Sequence, residues 1–360
     1  MKKLVAGIIG CGGISRFHFS GLEKADVEVA WVCDLNEAAA RPWAERFGSK
    51  FTKDYREVIA DPAVDVVDVT TISSVHKEIC LAAIDAGKAV ICEKTLSENA
   101  DDSLEIVSAA QAAGTIFYTS YMKRFIPAVQ KAKELLPSLG TLLSTHIRSY
   151  QCWGDVWDTT PEEGFFWTPP GGTSPIRKNY GGGILVCGGS HILDLVHFFL
   201  GRPHRVFAHM YTPEGRDYDM QAACLLETEN GIVHFEALGH PLNRIGYLHD
   251  GWDEQVEIVG TRGRIEILSA QWSQVEHKAS RLLHYDNETG ATTAYDLGAV
   301  SPFVPAIAFF CDNIRRGEQG SQSRLTGYEV DEMIAHIEKS AAEGKSMDVK
   351  WRVPAGDRTL

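Results

Sequence analysis

The sequence predicts an α/β protein of two domains: a doubly wound parallel sheet first, then an α+β domain built on a largely antiparallel sheet. Three observations predict it. Short apolar runs alternate with amphipathic segments from residue 4 to residue 119, the rhythm of β-α-β units. The first run ends in a glycine turn and the second in an acid, at the spacing used to hold a dinucleotide. Beyond about residue 122 several strand-like runs follow one another without helices between them. At 360 residues the chain is long enough for two cores, and the expected division is 1–122 and 123–360.

Leu4 to Ile9 reads as a buried parallel strand. Gly10, Gly12 and Gly13 follow, and Ile14 opens an amphipathic helix whose free N–H groups suit a pyrophosphate. Gly10 permits the turn, Gly12 lets the backbone approach phosphate, and the small Ser15 stands where a third glycine is usual. Val27 to Cys33 is the second strand and delivers Asp34, placed to accept hydrogen bonds from ribose hydroxyls and to repel a 2'-phosphate. NAD is therefore favoured over NADP.

Helices are expected over 37–47 and 54–59, then a strand over 64–69 with a polar loop, Thr70 to Ser74, at its carboxyl end. Thr71 in that loop and His76 just after it are candidates for the nicotinamide side. A helix over 76–86 closes at Gly87, and Ala89 to Cys92 is a strand with Glu93, Lys94 and Thr95 at its tip. A helix over 99–113 and a strand over 115–119 complete the unit. The glycine turn, Asp34, the 70–76 loop and Glu93–Lys94 all fall at carboxyl ends of strands, where ligands of such sheets bind.

In the second half, a helix over 127–136 precedes an alternating strand over 142–150. Residues 151–183 read as a long irregular insert holding Trp153, Trp157, Phe165, Phe166 and Trp167, a substrate lid or an oligomer contact. A helix over 184–200 and strands around 205–212, 220–227, 231–237, 254–260 and 263–268 follow, with hairpin turns at Glu229–Gly231 and Thr261–Gly263. Helices over 302–315 and 324–342 close the chain.

A formal charge of −13 disfavours nucleic acid and acidic membranes as partners. The eight cysteines are scattered without a CxxC pair, which suits buried reduced thiols better than a disulfide frame or a zinc site. No metal is expected. Lys2 and Lys3 precede an apolar run that continues into the glycine turn, so neither a signal peptide nor a bilayer-spanning segment is expected, and a cytoplasmic location follows.

The chain resembles the glucose–fructose oxidoreductase and inositol dehydrogenase (Gfo/Idh/MocA) family over nearly its whole length. The motifs that carry the likeness are GCGGISRFH at 10–18, Glu93–Lys94, YMKRF at 121–125, GGGILVCGGSHILDLVHFFLG at 181–201 and DEQVEIVGTRGRIEI at 253–267. The resemblance implies an N-terminal Rossmann domain, a C-terminal α+β domain with a large open sheet, oxidoreduction of a sugar or cyclitol, and homodimers or homotetramers formed through that sheet. It also implies that Lys94 sits beside the nicotinamide and the reacting hydroxyl, that Glu93 orients cofactor or lysine, and that His191 finishes the catalytic set. A cation beside an oxygen that is losing its proton lowers the barrier to hydride transfer.

Two departures stand out. Thr95 replaces the family's proline, which puts the usual cis peptide there in question. Cys187 occupies the position, four residues before His191, where the family often has an aspartate; Asp194 on the same helical face is an alternative for a proton relay. The start of the 184–200 helix is expected to keep His191 neutral. Arg124, Arg148, Trp153, Tyr180, Asp194 and His240 are the substrate-binding candidates, and His18 is expected to support the phosphate turn. The main reading is an NAD-dependent oxidoreductase acting on a secondary alcohol or ketone of a sugar, sugar derivative or cyclitol. The alternatives are a glycoside-cleaving enzyme using transient NAD redox and a non-catalytic NAD-binding protein.

Overall fold

The computed structural model describes residues 3–154, 168–269, 271 and 278–355. Trp157, Phe165, Phe166 and Trp167 of the expected aromatic lid lie outside the described residues. The chain forms two units. Unit 1 holds Met1–Met122, Phe303–Asp331 and Val353–Leu360, and unit 2 holds Lys123–Pro302 and Glu332–Arg352.

Unit 1 is a six-stranded sheet, all of whose neighbours run parallel. Its strands are β1 (Val5–Ile9), β2 (Glu28–Cys33), β3 (Lys50–Thr52), β4 (Val66–Val69), β5 (Ala89–Cys92) and β6 (Phe117–Thr119). They lie in the order β3-β2-β1-β4-β5-β6, so the chain reverses direction of travel between β1 and β4, the crevice where such sheets bind dinucleotides. Helices α1 (Ser15–Lys24), α2 (Glu37–Phe47), α3 (Tyr55–Ala60), α4 (His76–Asp85) and α5 (Ala100–Ala113) connect the strands. Local chemistry starts three of them. Asn36, Asp54 and Asn99 each accept a backbone N–H from the first turn of α2, α3 and α5. Ala6, Ile8, Val66, Val67, Val90 and Ile91 are fully shielded from solvent, as strands covered on both faces require.

The expected division left residues 303–331 with the second domain, whereas here they pack on the first. The physical reason is the apolar face of α9 (Phe303–Arg316). Phe303 stacks on Phe17 of α1 with ring centroids 5.1 Å apart, Phe310 stacks on Tyr118 at 4.5 Å, and Ile307 fills the space beside Gly21.

Unit 2 is a nine-stranded mixed sheet. It is mostly antiparallel, with one parallel pair at its centre, β7 (Leu142–Cys152) beside β10 (Gly231–His240). The flanking strands are β8 (Arg205–Tyr211), β9 (Gln221–Thr228), β11 (Trp252–Gly260) and β12 (Gly263–Ser269), and the outer ones are β13 (Arg281–Asp286), β14 (Thr292–Asp296) and β15 (Met347–Asp348). The order is β14-β13-β12-β11-β7-β10-β9-β8-β15. The sequence reading missed β3 and the three outer strands: β3, β14 and β15 are short or polar sheet edges, and β13, next to an edge, has a single buried position, so burial does not impose a clean alternation. Helix α6 (Pro127–Leu135) precedes the sheet, and α10 (Thr326–Glu343) follows α9.

Within the expected irregular insert, α7 (Pro175–Tyr180) starts on Ser174, whose side chain accepts the Arg177 N–H. The run that follows is helical from residue 184 to 200, with a π-turn over Leu185–Gly189 leading into α8 (Ser190–Leu200). Residues 175–200 are long and apolar enough to cross a bilayer, contrary to the sequence reading, but 89% of the apolar 18-residue window within them is buried inside the protein. It is the central helix of a core.

Candidate functional site

The glycine turn of unit 1 takes the geometry that a phosphate cradle needs. Gly10 has φ +101°, and a Cβ there would lie 2.7 Å from the Thr70 carbonyl, so only glycine fits both the angle and the approach. A Cβ on Gly12 or Gly13 would meet nothing within 4 Å. That open space lies before Ile14 and the N-terminus of α1, and it suits a pyrophosphate. Asp34 holds the turn: its Oδ2 accepts the Cys11 N–H at 2.6 Å and its Oδ1 accepts the Asn36 N–H at 2.7 Å. The residues present therefore fit a dinucleotide.

Across the crevice, Thr70 donates its hydroxyl to the Gly10 carbonyl at 2.6 Å. His76 is buried between two carbonyls, with Nδ1 3.0 Å from Thr95 O and Nε2 3.2 Å from Thr71 O. Burial depresses its pKa, outweighing the effect of those carbonyls. His76 thus braces the 71–76 loop against the loop that carries Lys94. The Lys94–Thr95 peptide is cis although Thr95 is not proline, so the backbone form in question from sequence is retained.

The most condensed chemistry in unit 1 lies beneath Lys94. His18 Nδ1 is 2.9 Å from Asp68 Oδ1, its Nε2 is 2.9 Å from Glu93 Oε1, and its ring is fully buried. Burial alone would lower the His18 pKa, but the charge and hydrogen bond of Asp68, and then those of Glu93, raise it to about 10. Burial opposes ionisation of Glu93 too. His18 and the nearby Lys94 and Ser120 prevail, and Glu93 stays below the usual carboxylate range. The other oxygen of Glu93 accepts the Lys94 N–H at 3.2 Å. Sequence reasoning placed His18 under the phosphate turn and missed Asp68. The signal was available: an acid inside the apolar run 64–69 of a sheet buried on both faces needs a partner.

In unit 2, the 184–200 helix is anchored by Asp219. Its Oδ1 accepts the Gly183 N–H at 2.9 Å, its Oδ2 accepts the Leu185 N–H at 2.8 Å, and a Cβ on Gly183 would lie 2.0 Å from the Asp219 carbonyl. Nothing in the spacing had singled out Asp219. Because the helix begins at about residue 184, His191 sits roughly two turns in. The N-terminal field fades within the first turn, so the expected helix-field argument for a neutral His191 does not hold. Cys187 is half-buried within the π-turn, a helical irregularity that recurs at functional sites. Burial and then the nearby Cys187 raise the pKa of Tyr180.

Trp153, His240 and the π-turn are gathered together. The Trp153 indole donates to Gln151 Oε1 at 3.3 Å, its backbone N–H donates to the His240 carbonyl at 2.8 Å, and the Gln151 amide packs on Gly188. His240 is buried, which lowers its pKa, and its Nδ1 accepts the Leu242 N–H at 3.0 Å.

Two substrate candidates are engaged with each other: Arg124 donates Nε and Nη2 to the two carboxylate oxygens of the buried Asp194, at 2.7 and 2.6 Å. Arg148 is not brought to this group. Strand alternation puts it on the opposite face of the sheet from Gln151 and the π-turn, where it pairs with Asp253 at 2.9 Å beside Tyr150. Lys94 belongs to unit 1 and His191 to unit 2. Among the described residues no group of three or more His, Cys, Asp or Glu is placed to hold a metal, and the cysteines are free thiols.

Comparisons with known proteins agree with this architecture. Residues 4–121 match the model described as the oxidoreductase family with an NAD-binding Rossmann fold, and residues 129–266 match the GFO/IDH/MocA C-terminal domain. The chain is 30% identical to myo-inositol 2-dehydrogenase of Thermotoga maritima, over 89% of this chain and 93% of that one. It is 28% identical to levoglucosan dehydrogenase of Pseudarthrobacter phenanthrenivorans, over 97% of this chain and 99% of that one. A solved levoglucosan dehydrogenase in complex with NADH and levoglucosan superposes with a TM-score of 0.82 at 23% identity, covering 97% of this chain and 100% of that one, which speaks for the fold. The Rossmann unit with its dinucleotide cradle, the open mixed sheet and these matches together make the chain a member of the Gfo/Idh/MocA oxidoreductase family, with an NAD-binding N-terminal domain.

Proposed function

We propose that the protein is a dehydrogenase of a sugar, sugar derivative or cyclitol, interconverting a secondary alcohol and its ketone, with NAD preferred to NADP. The observation that carries this reading is Lys94, at the carboxyl end of β5 in the unit that holds the glycine cradle, with its backbone N–H fixed by Glu93. A bound nicotinamide supplies the hydride acceptor. Lys94 stabilises the oxygen as its proton leaves, and His191 takes that proton. Asp34 reads the ribose hydroxyls, and its charge repels a 2'-phosphate.

Trp153, Tyr180 and His240 line the substrate side in this proposal. Trp153 offers a flat face to sugar C–H groups, and the other two offer polar tips. Arg124 and Asp194 hold α8 in place through their mutual pair. The dehydrogenase relatives favour this chemistry over transient-redox glycoside cleavage and over a non-catalytic role. We also propose a homo-oligomer formed through the open face of the unit 2 sheet. Phe207, Leu225 and Ile232 are each 43–49% exposed there on adjacent strands, more apolar surface than isolated positions leave. The test is a panel of sugars, sugar acids, inositols and glycosides incubated with NAD and NADP, following reduced cofactor and product mass. NAD reduction by polyols supports the reading, and release of a leaving group without net NADH would replace it.

A further inference from the structure

Asp68, His18 and Glu93 form a closed chain of hydrogen bonds, and the last of them touches the lysine assigned to the chemistry. Both ring nitrogens of His18 face carboxylate oxygens at 2.9 Å. A neutral imidazole has one donor and turns a lone pair towards the other acid, whereas an imidazolium donates to both. The three side chains are at most 6% exposed, so water does not screen or replace these bonds. Oε1 of Glu93 is taken by His18 and Oε2 accepts the Lys94 N–H, so the carboxylate plane is set by one partner and sets the next.

We infer that His18 is a positioning residue for Lys94: as an imidazolium anchored on Asp68, it holds the Glu93 carboxylate ionised and turned to grip the Lys94 backbone. The first helix, otherwise given to the phosphate cradle, thereby also places the reacting lysine. The inference rests on the proposed dehydrogenase reading for its effect on turnover, but not for the charge state of His18.

The test compares the full-length wild type, His18→Gln, Glu93→Gln and the double variant. Histidine-labelled 15N NMR of the wild type should show His18 doubly protonated from about pH 6 to pH 9. With the best panel substrate, each single variant should lose about 30-fold or more in kcat, while NADH affinity and substrate KM stay within about threefold. The double variant should be no more than about threefold worse than the weaker single one, because both act through one bond. An ordinary His18 titration near neutrality, losses that multiply, or an equal loss of NADH affinity would overturn the inference. If no panel substrate turns over, the dehydrogenase reading fails while the NMR still decides the His18 state. Should His18→Gln not fold, Glu93→Gln carries the test: it must lower kcat and bring the upper limit of the His18 imidazolium range down.

Discussion

Arg124 and Asp194 form a two-bond ion pair, 2.7 and 2.6 Å long, with the carboxylate fully buried. The pair ties the YMKRF segment to the middle of α8, three residues beyond His191. Removing one partner leaves an uncompensated buried charge, so Arg124→Met should destabilise the protein by about 3–5 kcal/mol. Arg124→Met with Asp194→Leu should recover most of that loss, since no lone charge remains. Chemical denaturation of the wild type, Arg124→Met and the double variant measures it.

Asp34 serves both the turn and the cofactor. Asp34→Ser keeps an acceptor for the Cys11 N–H and removes the charge. Its KM for NAD should rise about tenfold and its discrimination against NADP should shrink by a similar factor, as the lost ribose contacts and relieved repulsion dictate. Steady-state kinetics with both cofactors reads this.

Gly10 and Gly12 differ in what surrounds them, and their alanine variants should differ too. Gly10→Ala puts a Cβ 2.7 Å from the Thr70 carbonyl at a φ of +101°, so its Tm should fall by about 5 °C or more. A Cβ on Gly12 meets no protein atom. Gly12→Ala should keep its Tm within about 2 °C while weakening NADH binding about tenfold or more, by filling phosphate space.

Asp331, in the second turn of α10, is buried, and burial pushes its pKa up to about 7 despite hydrogen bonds from Ser103 and Ser97 and the nearby Lys94. Its folded pKa thus exceeds the unfolded value of about 3.9. The folded state holds the extra proton between those values, so this group's contribution to stability is full below about pH 4 and is lost as pH rises towards 7. Both bonds land on one oxygen, from Ser97 N at 3.1 Å and Ser103 Oγ at 2.6 Å, and an asparagine can keep both. Asp331→Asn should therefore gain Tm relative to wild type on going from about pH 5 to pH 8. A constant difference would contradict the assignment.

Much of unit 1 was legible because its elements announce themselves locally. Glycines, caps and apolar runs set the elements from β1 to α5 except the three-residue β3, and Asp34 stands at a fixed distance from Gly10. The helical field at His191 was misjudged because the start of that helix is set by Asp219, which is distant in sequence and marked by no motif. Arg148 looked like a pocket residue because a single charge on a half-buried strand does not say which face is covered. Asp68 was visible as an acid in a buried strand, but its partner, His18, comes from α1, and the other ring nitrogen of His18 goes on to Glu93 beyond β5. Short edge strands such as β14 carry too little burial to leave a period in the sequence.

The central claim is that Lys94 does the chemistry while the glycine cradle holds the cofactor. The direct measurement is Lys94→Ala, assayed for NADH binding and for turnover of the best panel substrate. The account predicts NADH affinity within about threefold of wild type and kcat lower by about a thousandfold. Turnover equal to that of the wild type would contradict it.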